Sequence, residues 1–457
     1  MYLFDTISAI STAYGTGGVA LVRVSGEKAL EVGSRVCAGG LEGAESNRAY
    51  YKKIISSDGR VIDDAVVTVF RAPRSYTGED TVELSCHGGI KVTEEVFRAT
   101  LEAGARPAEA GEFSRRALLS GKISVARAEA TGELFYAKTS EQVKLFSGGA
   151  ADALERRVKK IYDSMAALLA DMYARIDFPE EDLGSLSDTE IEARLEDISG
   201  ELSALLNTYK SARAVSQGIK TAIVGRTNAG KSSLYNLLVG HDAAIVTDIE
   251  GTTRDTLEET VPLGRLTLRL CDTAGLRKSD DAVEKIGIER ALERIRDAEL
   301  VIALFDNTRP FSPEDEMLLS AIDGAGKSDA AICVINKRDL PRGFDAGALA
   351  GREPIIEISA KSGEGTGDLT AAVEERYISG ELDLTRDALI TTERQFSALS
   401  RAKEAVCRSL ESLRAALPQD LCSVDLESAM SAIAEVGGAS VSDDVLEKIF
   451  KNYCIGK

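Results

Sequence analysis

The segment GRTNAGKS, Gly225 to Ser232, sits between an apolar run, KTAIVG, and a helical pattern, SSLYNLLVG. The spacing G-x4-G-K-S between a strand and a helix is a phosphate cradle. Backbone amides of Asn228, Ala229, Gly230 and Ser233 surround the anion, Lys231 reaches the β and γ oxygens, and Ser232 offers its hydroxyl to Mg²⁺. Further along, DTAG (Asp272, Thr273, Ala274, Gly275) follows the strand-like LTLRLC, so Asp272 can support Mg²⁺ through an intervening ligand while the Gly275 amide faces a γ-phosphate. NKRD, Asn336, Lys337 and Asp339 among it, ends another strand. The Asp339 carboxylate can accept from guanine N1 and N2, whereas adenine would leave it unpaired, a loss on the order of 10⁴-fold. SAK (Ser359, Ala360, Lys361) fits a base-contacting loop, and TDIEGTTRD, from Thr247 through Asp248, Ile249, Glu250, Gly251, Thr252 and Thr253, lies where a switch must meet the γ-phosphate and Mg²⁺. In this order the motifs predict a domain that binds GTP and hydrolyses it.

One position resists that reading. Leu276 follows DTAG where small signalling GTPases carry the glutamine that orients the attacking water. Leucine has neither donor nor acceptor, so another group must do that work.

The elements that position these motifs follow from periodicity. From 218 to 380, apolar strand candidates (KTAIVG, LTLRLCD, AELVIALFD, DAAICVINK, PIIEISA) alternate with helical stretches, which predicts a mostly parallel sheet covered by helices. Residues 1–118 alternate strand patterns such as VALVRVS and DDAVVTVF with a helix-like KVTEEVFRATLEAGA, an α+β pattern. Residues 119–217 and 381–457 read as helical, and SDTE, Ser187 to Glu190, has the spacing of a capping box. Two helical regions around one α/β unit predict an insertion into one helical domain, with two separate helical modules as the alternative.

Composition narrows the function classes. A length of 457 residues suggests roughly three domains. A net charge of −19 argues against a general nucleic-acid binder, so any RNA contact must be local or shared with a partner. No apolar run approaches the ~20 residues needed to cross a bilayer, the start MYLFDTISAI lacks a basic signal region, and the seven cysteines never form a CxxC pair. The expectation is a cytoplasmic protein with reduced thiols and no membrane attachment. CIGK at the end is a poor prenylation signal, since Gly456 is not aliphatic and Lys457 is not a usual last residue. GTGGVA, Gly15 to Ala20, fits a dinucleotide fingerprint but precedes a strand pattern where a helix is required. Cys86 and His87 in SCHGG would point to opposite faces of a strand, and no second Cys/His pair completes a zinc site.

GTTRD, DTAGLR, the tail YCIGK, and the stretches GGVALVRVSG, SYTGEDTVELSCHGG, RPAEAGEFSRRAL and IDFPEED together resemble the MnmE (TrmE) family of tRNA-modification GTPases over essentially the whole chain. Thr227 and Tyr453 depart from the family's usual proline and phenylalanine. The resemblance implies an N-terminal tetrahydrofolate-binding domain that dimerises, a discontinuous helical domain, and an inserted Ras-like P-loop GTPase domain, which favours insertion over two modules. It implies that Thr253 joins Ser232 on Mg²⁺, that Asn228, Thr247, Ile249 and Thr252 hold K⁺, and that Glu284 is the catalytic carboxylate acting with Asn228 and Lys231. It further implies that Arg23, Glu83, Lys122 and Lys457 bind 5-formyl- or methylene-tetrahydrofolate, while Cys454 either takes part in the modification or packs the tail. The implied partners are a second copy, tRNA, and the FAD-dependent MnmG (GidA) in a heterotetramer or larger complex. The implied reaction places an aminomethyl or carboxymethylaminomethyl group at C5 of the wobble uridine, U34. A rival, a GTPase switch in ribosome assembly, requires a basic surface or a GXXG clamp beside the GTPase domain, and the sequence offers neither.

Overall fold

The computed structural model describes residues 5–177, 186–240, 259–270, 292–378, 383–437, 443–451, 453 and 456. The chain divides into two compact units, one of Met1–Tyr136, Ala151–Leu202 and Ser397–Lys457, the other of Ala137–Ala150 and Ser203–Phe396.

In the first unit, β1 (Ile7–Ile10), β2 (Val19–Ser25), β3 (Arg48–Ile55), β4 (Val61–Phe70), β5 (Thr81–His87) and β6 (Arg106–Pro107) form a sheet of order β3-β4-β5-β2-β1-β6. All neighbours are antiparallel except β1 and β6. The alternation in VALVRVS sends Ala20, Val22 and Val24 into one core with Leu84, Cys86, Val32 and Val96, the last two from the helices Ala29–Val36 and Ile90–Glu102. Arg23 must therefore face the opposite side. There the register aligns it with Glu83 on β5 and Ala9 on β1. Ile7 and Ala9 pack on that face against Phe113 of the helix Glu112–Leu119. Cys86 is buried and His87 is turned outward, with its Nδ1 2.7 Å from Asp63 Oδ1.

An ionic cluster with Glu112 and Arg116 buried at its centre and Asp5, Glu79 and Arg106 half-buried around them fixes the chain around that helix. Arg116 reaches Asp5 Oδ1 (2.6 Å), Glu79 Oε1 (3.1 Å) and Glu112 Oε1 (3.0 Å), while Arg106 grips both Glu112 oxygens at 2.6 and 2.9 Å. Burial alone would push the Glu112 carboxyl up, but the bonds from Arg106, the Glu109 amide and Arg116 outweigh it and hold it below the usual range. Asp5 is lowered against its own desolvation by the same two arginines.

The long helices Ala150–Asp177, Asp188–Ser216, Glu393–Arg414 and Gln419–Gly437 bury apolar stripes at helical spacing, such as Ile161, Met165, Leu168 and Met172, and Ile191, Leu195, Ile198 and Leu202. The capping box forms as its spacing predicts: the Ser187 amide donates to Glu190 Oε2 (2.7 Å) and the Glu190 amide to Ser187 Oγ (3.3 Å).

In the second unit, β7 (Ile219–Gly225), β8 (Glu259–Leu263), β9 (Leu266–Leu270), β10 (Leu300–Asp306), β11 (Ala331–Asn336) and β12 (Ile355–Glu357) run in the order β12-β11-β10-β7-β9-β8. Every pairing is parallel except β8 with β9. Central β10 is buried along its whole length, as a strand covered on both faces should be. The chain fills the sheet on one side of β7 and then on the other, so the carboxyl end of β7 is the switch point at which such sheets bind ligands.

These observations support the coarse expectation of a mixed α/β and helical architecture. Because Asp5 and Glu112 have lowered carboxyl pKa values, they stabilise the fold above the unfolded value of about 4 and lose that contribution as pH falls through the folded value. Glu112→Ala, which strands Arg106 and Arg116, is expected to cost about 3–5 kcal/mol and to flatten the acid dependence, both read from denaturation of the full chain between about pH 3 and pH 7.

Candidate functional site

Gly225 closes β7 with φ +157°, and a Cβ there would lie 2.5 Å from the Leu304 carbonyl of the neighbouring strand. The loop then turns through Asn228 at φ +64°, a left-handed conformation that asparagine tolerates better than most residues, and leaves its side chain exposed. Ala229 is fully buried and Gly230, at φ +99°, has no room for a side chain, since a Cβ would meet Asn336 Nδ2 at 2.1 Å. The helix Lys231–Gly240 begins at once, which turns its unpaired amides and dipole toward the loop.

Lys231 Nζ donates to the carbonyls of Gly225 and Arg226, both at 2.8 Å. An ammonium has three protons, so these bonds fix its position and leave one donor for an anion. Burial pulls its pKa down, helped by repulsion from Arg294; an arriving phosphate would oppose both effects. Arg226 points away into the turn before the helix Pro313–Gly324, where Nη1 meets Ser312 Oγ (3.2 Å) and Asp315 Oδ2 (3.4 Å).

Asn336 joins this loop to the others. Its Nδ2 donates to the Ala229 carbonyl (2.9 Å) and its Oδ1 accepts from the Ala360 amide (2.9 Å), with the side chain buried. Two separate segments are thereby pinned to one side chain on β11. Ser359, wholly buried, donates from Oγ to Asp339 Oδ1 (2.7 Å) and accepts from the Ser362 amide (3.2 Å). Asp339 itself is exposed, so its carboxylate is aimed and accessible. Ser232, Ser233 and Lys361 lie on the helix start and the base-side loop of the same constellation. The residues Thr247, Asp248, Ile249, Glu250, Gly251, Thr252, Thr253, Asp272, Thr273, Ala274, Gly275, Leu276 and Glu284 lie outside the described residues, as do Cys454 and Lys457.

The first unit carries a second constellation. Arg23 Nε donates to Glu83 Oε1 at 2.8 Å, and its guanidinium carbon stands 5.8 Å from the Tyr76 ring centre and 5.6 Å from that of Phe113. The Gly456 carbonyl accepts from Ser11 Oγ (2.9 Å) and Arg23 Nη1 (3.5 Å). A Cβ at Gly456, where φ is +101°, would strike the Ile10 carbonyl at 2.3 Å, so the tail passes closer to β1 than any other residue type allows. Tyr453 anchors the preceding turn: it is buried with Val125, Ala128, Leu446 and Phe450, and its hydroxyl donates to the Ala128 carbonyl. Lys122 is exposed on the turn after Glu112–Leu119, beside the Tyr76–Gly78 loop. The family resemblance points to Arg23 and Glu83 but not to Tyr76, Phe113, Ser11 or the Gly456 carbonyl, which come to Arg23 from remote segments.

Similarity to known proteins covers both units of the chain. The family model described as GTP-binding protein TrmE N-terminus matches residues 6–122, and that described as MnmE helical domain matches residues 125–454. Curated relatives named tRNA modification GTPase MnmE include those of Heliobacterium modesticaldum (40% identical, 99% of each chain), Geobacter metallireducens (38%, 100% of each) and Natranaerobius thermophilus (34%, 99% of each). With full-length relatives above 30% identity and a family model spanning most of its residues, the chain belongs to the MnmE (TrmE) family of tRNA-modification GTPases.

Proposed function

We propose that the protein hydrolyses GTP at the loop Gly225–Ser232 and acts in tRNA modification, where GTP cleavage drives a change of conformation rather than the carbon chemistry itself. The observation that carries this reading is the Asn336 side chain, which ties the phosphate loop to the base loop through two buried bonds. A nucleotide spanning them meets the spare Lys231 proton and the helix amides at its phosphates and the Asp339 carboxylate at its base. GTP fits this donor and acceptor set better than ATP.

In this reading Ser232 with Thr253 holds Mg²⁺, and Asn228 with Thr247, Ile249 and Thr252 holds K⁺. The exposed amide of Asn228 suits the second role, and when bound the two cations neutralise charge on the phosphates. Lys231 adds its own charge and keeps the β and γ oxygens in register. Glu284 replaces the glutamine absent at Leu276, accepting the proton of the attacking water directly or through a second water.

The Arg23–Glu83 site is assigned to a 5-formyl- or methylene-tetrahydrofolate. Its carboxylate suits a pterin amino group and ring NH, and Arg23, Lys122 and Lys457 suit the glutamate tail. The folate supplies a one-carbon unit to C5 of U34. The FAD-dependent MnmG supplies electrons in a cytoplasmic complex built on a homodimer of this chain, and Cys454 stands three positions before Lys457 in the tail.

Three measurements test this. Gly230→Ala, which drives a methyl group into Asn336, should abolish binding of a fluorescent GDP analogue without unfolding the first unit; retained binding refutes the cradle. Glu284→Ala should bind GTP normally and lose about 10²-fold or more in turnover, and wild-type turnover should collapse when sodium replaces potassium. Cells lacking the chain should lose C5-modified wobble uridines from total tRNA nucleosides, and complementation with Glu83→Gln should fail to restore them while GTPase activity stays intact. Unchanged nucleosides favour a GTPase switch outside tRNA modification.

A further inference from the structure

Beside the base loop lies a buried charge that no motif accounts for. Asp306 closes β10 with 1% of its side chain exposed, yet its Oδ2 stands 2.7 Å from Lys337 Nζ. Its Oδ1 accepts from the Thr308 amide (2.9 Å) and Thr308 Oγ1 (2.7 Å), so both oxygens are engaged. The backbone is held as firmly. Lys337 sits at φ +68°, unusual for a lysine, with the Asn307 side chain donating to the carbonyls of Lys337 (3.5 Å) and Leu340 (3.2 Å). The Asn307 amide in turn donates to the Asn336 carbonyl (2.9 Å).

This arrangement answers an electrostatic problem. Lys337 is two residues from Asp339 in one turn, closed by the bond from the Leu340 amide to the Lys337 carbonyl (3.0 Å). A flexible ammonium there can fold back onto the Asp339 carboxylate and occupy the oxygens that a base must use. The other cations of the turn are diverted as well: Arg338 Nε lies 3.7 Å from Glu364 Oε1 and Arg342 Nη1 3.2 Å from Glu357 Oε1. Among these, Asp306 is the buried partner, the one whose contact is least weakened by water.

We propose that Asp306 is a specificity-determining positioning residue, which sequesters the Lys337 ammonium so that Asp339 keeps its carboxylate for the N1 and N2 donors of guanine. It rests on the reading of Asp339 as the base-recognising carboxylate. In this role Asp306 acts on the base through Lys337, the nearer of its two cations; Arg309 Nε stands farther off, 3.9 Å from the same oxygen. The Asp306 carboxyl is held below its usual range, with the desolvation that raises it outweighed by Lys337 and Thr308, so it stays ionised at neutral pH.

The test is a double-mutant cycle on the full chain, reading equilibrium binding of GDP, IDP and XDP together with thermal stability. Asp306→Asn should weaken GDP by about tenfold, the effect of losing one charge-assisted hydrogen bond, and should narrow the preference for GDP over IDP, which lacks the N2 amine. In the Asp306→Asn/Lys337→Met double variant, with no ammonium to misdirect, GDP binding should match that of Lys337→Met alone. A purely structural role would lower melting temperature while leaving the GDP/IDP ratio unchanged, and the two losses would multiply; either result overturns the proposal. Should Asp306→Asn fail to fold, Thr308→Val, which removes only the hydroxyl brace, should shift the same ratio in the same direction, and an unchanged ratio refutes it. Asp339→Asn separates the two ideas: it should exchange GDP for XDP preference, and failure of that exchange removes the base reading, whereas success with an unaltered Asp306→Asn removes only this inference.

Discussion

Two hydrogen bonds made by one buried amide set the loops at the carboxyl end of the second unit's sheet. Asn336 donates to Ala229 and accepts from Ala360, so the phosphate loop after β7 and the loop after β12 are set by a side chain on the strand between them in function, β11. Breaking either bond would leave a buried amide or carbonyl unpaired, at about 1–3 kcal/mol, against a net stability that in domains is only several times larger. The constraint also explains Gly230: the approach of the amide to the loop is possible only where no Cβ exists. Loops that would otherwise move independently are thus held at the spacing a ligand requires, before the ligand arrives.

The same logic recurs in the first unit with different parts. Arg23 is held by a carboxylate, two aromatic rings and a tail carbonyl, each from a separate segment. Its charge is paired on the side of the sheet that carries Phe113, because the alternation of β2 leaves Val22 and Val24 to the core on the other. Strand register, not local sequence, brings Arg23 opposite Glu83. The ionic cluster of Arg106, Arg116, Asp5, Glu79 and Glu112 then holds the helix that delivers Phe113.

How far the sequence could be read follows from the range of the interactions. VALVRVS is strand β2 residue for residue, KTAIVG and AELVIALFD locate β7 and β10, and the Ser187 capping box is present, because alternation and capping are local. GRTNAGKS ends β7 and opens the helix Lys231–Gly240, and NKRD closes β11, as the apolar runs before them lead one to expect, because both are local transitions out of a strand. The strand order β12-β11-β10-β7-β9-β8 was not legible, since periodicity says which face a strand buries but not which neighbour it takes. Nor was the pairing of Asp306 with Lys337, thirty-one positions apart: in the sequence LFDNT looks like the end of any apolar strand. Tyr76 and Phe113 beside Arg23 were hidden for the same reason, as aromatic residues whose bland role in a core and whose role against a cation look alike until tertiary structure joins them.

The two departures from the usual family pattern show how such sites tolerate change. Thr227 is exposed in the loop after β7, so its side chain needs no place in the core. Tyr453 is the harder case, because a hydroxyl added to a buried aromatic ring costs several kcal/mol when it finds no partner. Here the ring lies against Gly132, where a Cβ would come within 2.9 Å of it, and that close approach carries the hydroxyl to the Ala128 carbonyl of the same helix. The acceptor offsets the desolvation, and Phe135 and Phe450 meet the ring edge-on with centroids 5.7 and 5.2 Å away. A glycine on one helix and a carbonyl one turn earlier thus make a tyrosine equivalent to a phenylalanine as an anchor, and the anchor holds the tail whose Gly456 carbonyl reaches Arg23.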